Sequence, residues 1–255
     1  MPEPNIMKTE ASRLIEIFSS LQGEGKYLGY RQIFIRLPGC NLNCSYCDTP
    51  LKAAQLCQVE DAPGSSCFKG LPQPVSINQL CGLATDWCRL LPGAHHSFSI
   101  TGGEPLLQPQ LLENWLPKLR EILPVHLETN GTLPEALQSL LPDIDHICMD
   151  IKLPSATGLK PLWDTHSRFL KMAAATELTV KIVVSDITTD QEIIRACSLV
   201  ADVDDKIPLF IQPVTGSDGK VAVESGRLLR WQALAARLLP KVRVVPQMHK
   251  MLEVL

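Results

Sequence analysis

Three cysteines fall within eight residues, in the segment Gly39-Cys40-Asn41-Leu42-Asn43-Cys44-Ser45-Tyr46-Cys47-Asp48-Thr49. The spacing C-x3-C-x2-C lets three thiolates turn toward one metal centre, because glycine and asparagine tolerate the tight turns such wrapping needs. Thiolates favour iron–sulfur clusters or zinc. Structural zinc wants a closed tetrahedron, so here it would have to recruit Cys57 or Cys67 as a fourth ligand. A cubane cluster on three thiolates instead leaves one iron open to a small molecule. Three thiols buried for packing alone are disfavoured, since a loop seldom supplies a core that takes them. Of the nine cysteines, Cys81 and Cys88 lie seven apart on one helical face and read as packing. Cys148 and Cys197 read as buried in a strand and a helix. Polar residues also close apolar runs further along, in Thr101-Gly102-Gly103-Glu104-Pro105, Glu128-Thr129-Asn130-Gly131-Thr132, Asp150-Ile151-Lys152 and Gln212-Pro213-Val214-Thr215.

The elements that must position these groups alternate between strand and helix. Candidate strands are Gln32–Leu37, Ser97–Thr101, Val125–Thr129, His146–Ile151, Leu178–Val184, Leu209–Gln212 and Val242–Pro246. They are apolar and β-branched with little alternation, which predicts strands covered on both faces. Ser76-Ile77-Asn78-Gln79 resembles a capping box opening a helix that Pro92-Gly93 stops. Further helical patterns lie near Gln110–Ile122, Pro134–Leu141, Thr165–Ala175, Thr189–Val200 and Glu224–Leu238. Alternation of this kind predicts an α/β fold, a mostly parallel sheet with right-handed crossovers curling into an open or closed barrel. In parallel barrels ligands bind at the carboxyl ends of the strands, where the polar segments fall. The stretch Leu51–Pro74 is rich in Pro, Gly, Ser and Gln and reads as a long loop or small insertion at about 51–74. Residues 1–255 otherwise read as a single domain without internal repeats.

Composition narrows the class of protein. Of 255 residues, 45% are hydrophobic and 20% charged, so a core is affordable and disorder is excluded. A formal charge of −3 argues against a partner rich in phosphates, so no nucleic acid is expected. No apolar run reaches the roughly 18 residues of a bilayer span. The start, Met1-Pro2-Glu3-Pro4-Asn5, lacks the apolar stretch of a secretion signal. Together with an odd number of cysteines, this predicts a cytoplasmic protein with reduced thiols.

The cysteine spacing, with an aromatic residue before the last thiol, resembles the cluster loop of the radical S-adenosylmethionine (SAM) superfamily. The resemblance implies a [4Fe–4S] cluster on Cys40, Cys44 and Cys47 that binds and reductively cleaves SAM to a 5′-deoxyadenosyl radical, within a partial or modified (β/α) barrel. It also implies that Thr101–Pro105 contacts the methionine part of SAM, with Glu104 accepting from its ammonium group. Upstream, Glu16-Ile17-Phe18-Ser19-Ser20-Leu21-Gln22-Gly23-Glu24-Gly25 and Phe34-Ile35-Arg36-Leu37 are similar to the 7-carboxy-7-deazaguanine synthase family. Cys47-Asp48-Thr49 and the late Gln247-Met248-His249-Lys250 fit the same family, so the likeness runs from about Glu16 to Lys250.

This family resemblance implies ring contraction of 6-carboxy-5,6,7,8-tetrahydropterin to 7-carboxy-7-deazaguanine with loss of ammonia, in queuosine-type deazapurine biosynthesis. The adenosyl radical takes hydrogen from C6 of the pterin, and the rearranged radical recovers it, so SAM is regenerated. By the same resemblance Leu21, Gln22, Gly23, Arg36 and Thr101 contact substrate, Arg36 pairing its carboxylate. SAM falls to Gly103, Glu104, Thr129, Asn130, Gly131, Gln212, Pro213, Val214 and Thr215, and Mg²⁺ to Thr49. The partners implied are the pterin, a flavodoxin or ferredoxin as electron donor, and a second copy in a homodimer. His249 and Lys250 read as a solvated basic end, and His95 and His96 as loop residues without a role. Lys152 reads equally as an ion-pair partner of Asp150 or a ligand contact. The end, Met251–Leu255, lacks the terminal proline that many relatives place near substrate. Competing readings are another small radical SAM enzyme, such as a glycyl-radical activase, and a zinc or iron–sulfur module without catalysis.

Overall fold

The computed structural model describes residues 10–216 and 219–254; the start at Met1–Asn5 and the last residue, Leu255, lie outside them. Ten strands form one sheet: β2 (Glu16–Leu21), β3 (Arg31–Leu37), β4 (Leu56–Glu60), β5 (Phe68–Pro72), β7 (Ser97–Gly102), β8 (Val125–Thr129), β9 (His146–Ile151), β10 (Glu177–Val184), β11 (Leu209–Pro213) and β12 (Val242–Val244). Their order is β12-β11-β10-β9-β8-β7-β3-β2-β4-β5. From β3 through β12 every neighbouring pair is parallel, so seven strands follow one another without reversal. A singly wound order with right-handed crossovers puts every crossover helix on one face and leaves the other free. The sheet stays unclosed, a partial barrel. Two short strands, β1 (Ala11–Ser12) and β6 (Val75–Ser76), pair separately.

Main helices are α1 (Ile77–Leu90), α2 (Pro109–Arg120), α5 (Trp163–Ala173), α6 (Asp190–Ala201) and α7 (Ser225–Ala235), with single turns at α3 (Pro134–Leu137), α4 (Pro154–Thr157) and α8 (Met248–Met251). The Ser76–Gln79 capping box is present and α1 stops at Leu91. A second box, Thr189 with Glu192, opens α6. Helices bury their apolar stripes against the convex face of the sheet, where Trp115, Phe169 and Trp231 are fully enclosed.

Two expectations are resolved. Leu51–Pro74 is a small insertion and not a long loop: β4 and β5 form a hairpin that extends the sheet beyond β2. Its turn is tied down by Glu60, which is buried and accepts from the backbone N–H of Ser19 and Ser66. Nor are the parallel strands alike on both faces. Ile33, Ile35 and Leu37 of β3, Phe98 and Ile100 of β7, and Ile147, Met149 and Ile151 of β9 enter the helix-covered core. The alternate residues, Gln32 and Arg36, Ser97, Ser99 and Thr101, His126 and Glu128, Cys148 and Asp150, Thr179 and Lys181, are polar or ionisable and share the concave face. Serine, threonine and histidine among β-branched neighbours masked this period of two.

Candidate active site

The concave face encloses a cavity of about 430 Å³ at the carboxyl ends of the strands. Cys40, Cys44 and Cys47 line it from the loop after β3, and glycines bring that loop close. Glu104 N–H donates to the Gly39 carbonyl at 2.8 Å, and Gly103 N–H to the Leu37 carbonyl at 3.2 Å. A Cβ on Gly103 would lie 1.9 Å from the Gly39 oxygen. Glycine is therefore required there by contact rather than by backbone angle. Burial pushes the Cys44 thiol up, with Lys152 pulling the other way; a bound metal would hold it as thiolate.

One wall is built around Glu128. Its Oε1 accepts from Gln22 Nε2 at 2.8 Å and Ser99 Oγ at 2.9 Å, and its Oε2 from Thr101 Oγ1 at 3.4 Å. Arg36, opposite Glu16 in the β2–β3 register, gives its Nε to Glu16 Oε1 at 2.6 Å. Its terminal nitrogens make no hydrogen bond among the described residues, and Arg36 lines the cavity.

A chain of buried charges makes the other wall. Lys152 Nζ donates to Asp150 Oδ2 at 2.8 Å and Tyr46 OH at 3.1 Å. Lys181 pairs with Glu24 and lies 3.6 Å from Asp150. Burial opposes charge on both lysines, but Asp150 and Glu24 hold them firmly protonated. Burial likewise opposes the Glu24 carboxylate, yet Lys181 beside it, with help from His249 and Gln212, draws its pKa down to about 2.

Segment 22–30, between β2 and β3, crosses the concave side as a strap beneath the cavity. Tyr27 sits among the rings of His96, His126 and His146, at 4.5, 5.3 and 4.6 Å between centroids. The chain's other end meets this strap. Met248 N–H donates to the Gly23 carbonyl at 3.0 Å, Gln247 Nε2 to Glu24 at 3.2 Å, and Lys250 pairs with Asp48 at 2.7 Å. His249 packs so tightly that a Cβ on Gly23 would fall 2.0 Å from its Nδ1. The basic pair at 249–250 is thus part of the cavity wall, not a solvated end.

Residues 34–199 match the radical SAM superfamily. Over 245 residues the chain is 46% identical to the 7-carboxy-7-deazaguanine synthase of Geobacter sulfurreducens, covering 96% of this chain and 98% of that protein. It is 34% identical over 251 residues to the synthase of Archaeoglobus fulgidus, with 95% and 99% covered. The chain belongs to the 7-carboxy-7-deazaguanine synthase family of the radical SAM superfamily. The crystal structure of QueE from Escherichia coli shares its fold, with a TM-score of 0.63 at 22% identity, covering 97% of this chain and all of that one.

Membership in the radical SAM superfamily implies a [4Fe–4S] cluster and SAM, and the residues present fit both. Three thiols share one cavity, and two acceptors beside them, Asp150 Oδ1 and Gln212 Oε1, are buried without a hydrogen-bond partner among the described residues. A ligand carrying an ammonium group and ribose hydroxyls brings the donors they lack. Zinc has less to recommend it. Cys57 is wholly buried in β4, Cys67 is exposed on the hairpin, and neither lines the cavity.

Of the residues expected to bind ligands, Leu21, Gln22, Gly23, Arg36, Thr49, Thr101, Gly103, Thr129, Asn130, Gln212, Val214 and Thr215 line the cavity. Glu104, Gly131 and Pro213 stand behind it. Glu104 is fully buried, accepting from Leu106 N–H at 3.0 Å, Thr129 Oγ1 at 2.8 Å and Asn130 N–H at 2.7 Å. It holds the 129–131 turn, and both carboxylate oxygens are engaged. Gln22 too is nearly enclosed, with its amide committed to protein partners. Lys181 was missed, although a single lysine inside Leu178-Thr179-Val180-Lys181-Ile182-Val183-Val184 was the available signal.

Proposed function

We propose that this protein contracts 6-carboxy-5,6,7,8-tetrahydropterin to 7-carboxy-7-deazaguanine with release of ammonia, acting as a single domain that carries a small insertion at about 51–74. One observation carries the reading: the three thiols, Arg36 and Glu128 face the same cavity. A carboxylate-bearing pterin needs a cation at one end and an acceptor for the donor edge of its ring at the other. Arg36 meets the carboxylate with its terminal nitrogens. Glu128 accepts from the ring amino group and adjacent N–H, and Thr101 and the backbone of Leu21 and Gly23 complete the ring site. Gln22 orients Glu128.

A [4Fe–4S] cluster held by Cys40, Cys44 and Cys47, with SAM, would supply reversible hydrogen-atom abstraction chemistry at the pterin. The chain's own residues bind, orient and enclose. Gly103, Thr129, Asn130, Gln212, Val214 and Thr215 hold SAM, with Glu104, Gly131 and Pro213 shaping the turns that present them. Thr49, in the cavity lining, would offer one oxygen to Mg²⁺, an ion that would help hold the substrate in place. Segment 247–250 closes the side toward solvent. The family resemblance further supports a homodimer in the cytoplasm, reduced by a flavodoxin or ferredoxin. No helix among the described residues is long and apolar enough to cross a membrane.

The test is anaerobic reconstitution with iron and sulfide, then reduction with SAM and the pterin. SAM-dependent release of 7-carboxy-7-deazaguanine without net SAM consumption is expected, and Cys44→Ala must lose both cluster and product. A protein that cleaves SAM but leaves the pterin intact refutes the substrate.

A further inference from the structure

Beneath the proposed ring site, the concave face carries a buried polar layer, of which Gln22 lines the cavity and Gln32, Ser97 and His126 do not. Gln22 Nε2 donates twice, to Glu128 Oε1 at 2.8 Å and to Gln32 Oε1 at 2.9 Å. Gln32 Nε2 in turn donates to Ser97 Oγ at 2.7 Å and to His126 Nδ1 at 3.1 Å. Gln22 Oε1 accepts from Glu24 N–H at 3.1 Å. Gln32 and Ser97 are register partners on β3 and β7, and all of Gln22, Gln32, Ser97 and His126 are buried.

The donor directions in this chain are coupled. An amide that gives both hydrogens, one to Glu128 and one to Gln32, must find an oxygen on Gln32. Gln32 presents its oxygen only if its own NH2 points to Ser97 and His126. His126 Nδ1 must then be the acceptor, which places the ring hydrogen on Nε2, a buried nitrogen without a hydrogen-bond partner among the described residues. Turning over any one member sets two donors or two acceptors face to face, which a buried network resists. His126 is held in turn by Tyr27, whose ring crosses it at 84°, and by His146 at 4.7 Å.

We propose that Gln32 and His126 are positioning residues: acting through Gln22, they fix the orientation of the Glu128 carboxylate that reads the donor edge of the pterin. Neither touches the ligand. This role rests on the substrate reading above and adds a direction of hydrogen bonding that begins at the amino ends of the strands.

The test compares two substitutions of the same ring. In His126→Asn the side-chain oxygen falls close to the place of Nδ1 and can accept from Gln32. His126→Leu fills similar space and accepts nothing. The dissociation constant of 6-carboxy-5,6,7,8-tetrahydropterin is measured by anaerobic equilibrium dialysis on reconstituted protein with SAM, and folding is checked by circular dichroism. The expected result is a rise of about tenfold for His126→Leu, in line with one misdirected buried hydrogen bond, and a value within about twofold of wild type for His126→Asn. In a Gln22→Ala background His126→Leu should add less than about twofold, because the route to Glu128 is already cut. Equal loss in the two His126 variants, no loss in His126→Leu, or additivity with Gln22→Ala overturns the role, since each marks the ring as packing only. If His126→Leu does not fold, Gln32→Met drops the amide from the middle of the chain and carries the same expectations. Wild-type protein that binds no pterin overturns the substrate reading itself, and the role with it.

Discussion

Replacing Gly103 by alanine tests whether the glycine pair after β7 sets the position of the cysteine loop. The new methyl would lie 1.9 Å from the Gly39 oxygen, 2.5 Å from its carbon and 3.0 Å from the Cys40 Cβ. The first is roughly 1.5 Å inside the ~3.5 Å of ordinary contact. Backbone stands on both sides, so no rotamer relieves it. Moving Gly39 away sacrifices the Glu104 N–H···O=C bond to Gly39 at 2.8 Å, worth about 1 kcal/mol. Residual overpacking costs about 1–3 kcal/mol more. The sum, about 2–4 kcal/mol, lowers Tm by roughly 10 °C in a chain of this size. Cys40 is adjacent to Gly39 and shifts with it, so iron and sulfide per chain after reconstitution should fall well below wild type. Gly82→Ala is the control: it lies within α1 with open space around its Cβ position, and alanine there should stabilise by up to about 1 kcal/mol. A Gly103→Ala protein with wild-type Tm and full iron content would show that the loop is positioned by something else.

Three further outcomes follow from the site. Burial holds His126 neutral, with a pKa lowered from 6.5 to about 3. The folded state therefore binds fewer protons than the unfolded, and its stability, full above pH 6.5, declines as pH falls from there toward 3. At pH 5 the loss from this residue is about 2 kcal/mol. Urea midpoints at pH 7 and 5 should differ less in His126→Leu than in wild type, and an unchanged difference refutes the assignment. Lys181→Met leaves the buried Glu24 carboxylate without its cation, while Asp150 keeps Lys152, and should destabilise by about 3–5 kcal/mol. Adding Glu24→Gln should recover part of that in a chemical melt, and no recovery would show that Lys181 is not held by Glu24. Arg36→Ala should raise KM for the pterin about 10- to 100-fold, the worth of a charged hydrogen-bonded pair, with kcat little changed. An unaltered KM removes Arg36 from the carboxylate site.

The seven parallel strands were legible because each is a short β-rich run between helical patterns, and α1 announced its start through Ser76 and Gln79. Gly103 and the three cysteines were legible as types fitted to a task. The β4–β5 hairpin was not. Its anchors, Glu60 to Ser19 and Ser66, join residues distant in sequence, and its Pro- and Gly-rich composition imitates a loop. β2 was missed for a related reason: its residues were read as a motif and not as an element. Glu104 shows a different limit: three protein donors, Leu106 N–H, Thr129 Oγ1 and Asn130 N–H, reach its carboxylate, and only tertiary contact reveals them. The wall at 247–250 was equally hidden, since nothing local ties Lys250 to Asp48.

The meeting of the two chain ends has a consequence for how the protein is made. Gln247 and Glu24 stand 223 positions apart, so their contact spans nearly the whole chain and carries a large loop-closure cost during folding. During synthesis the strap and the cysteine loop emerge early, while the segment that covers them is still untranslated. A nascent chain therefore offers Cys40, Cys44 and Cys47 from an open bowl until segment 247–250 has been made. The order of the sequence itself thus sets the making of the cysteine loop apart in time from the making of the segment that covers it.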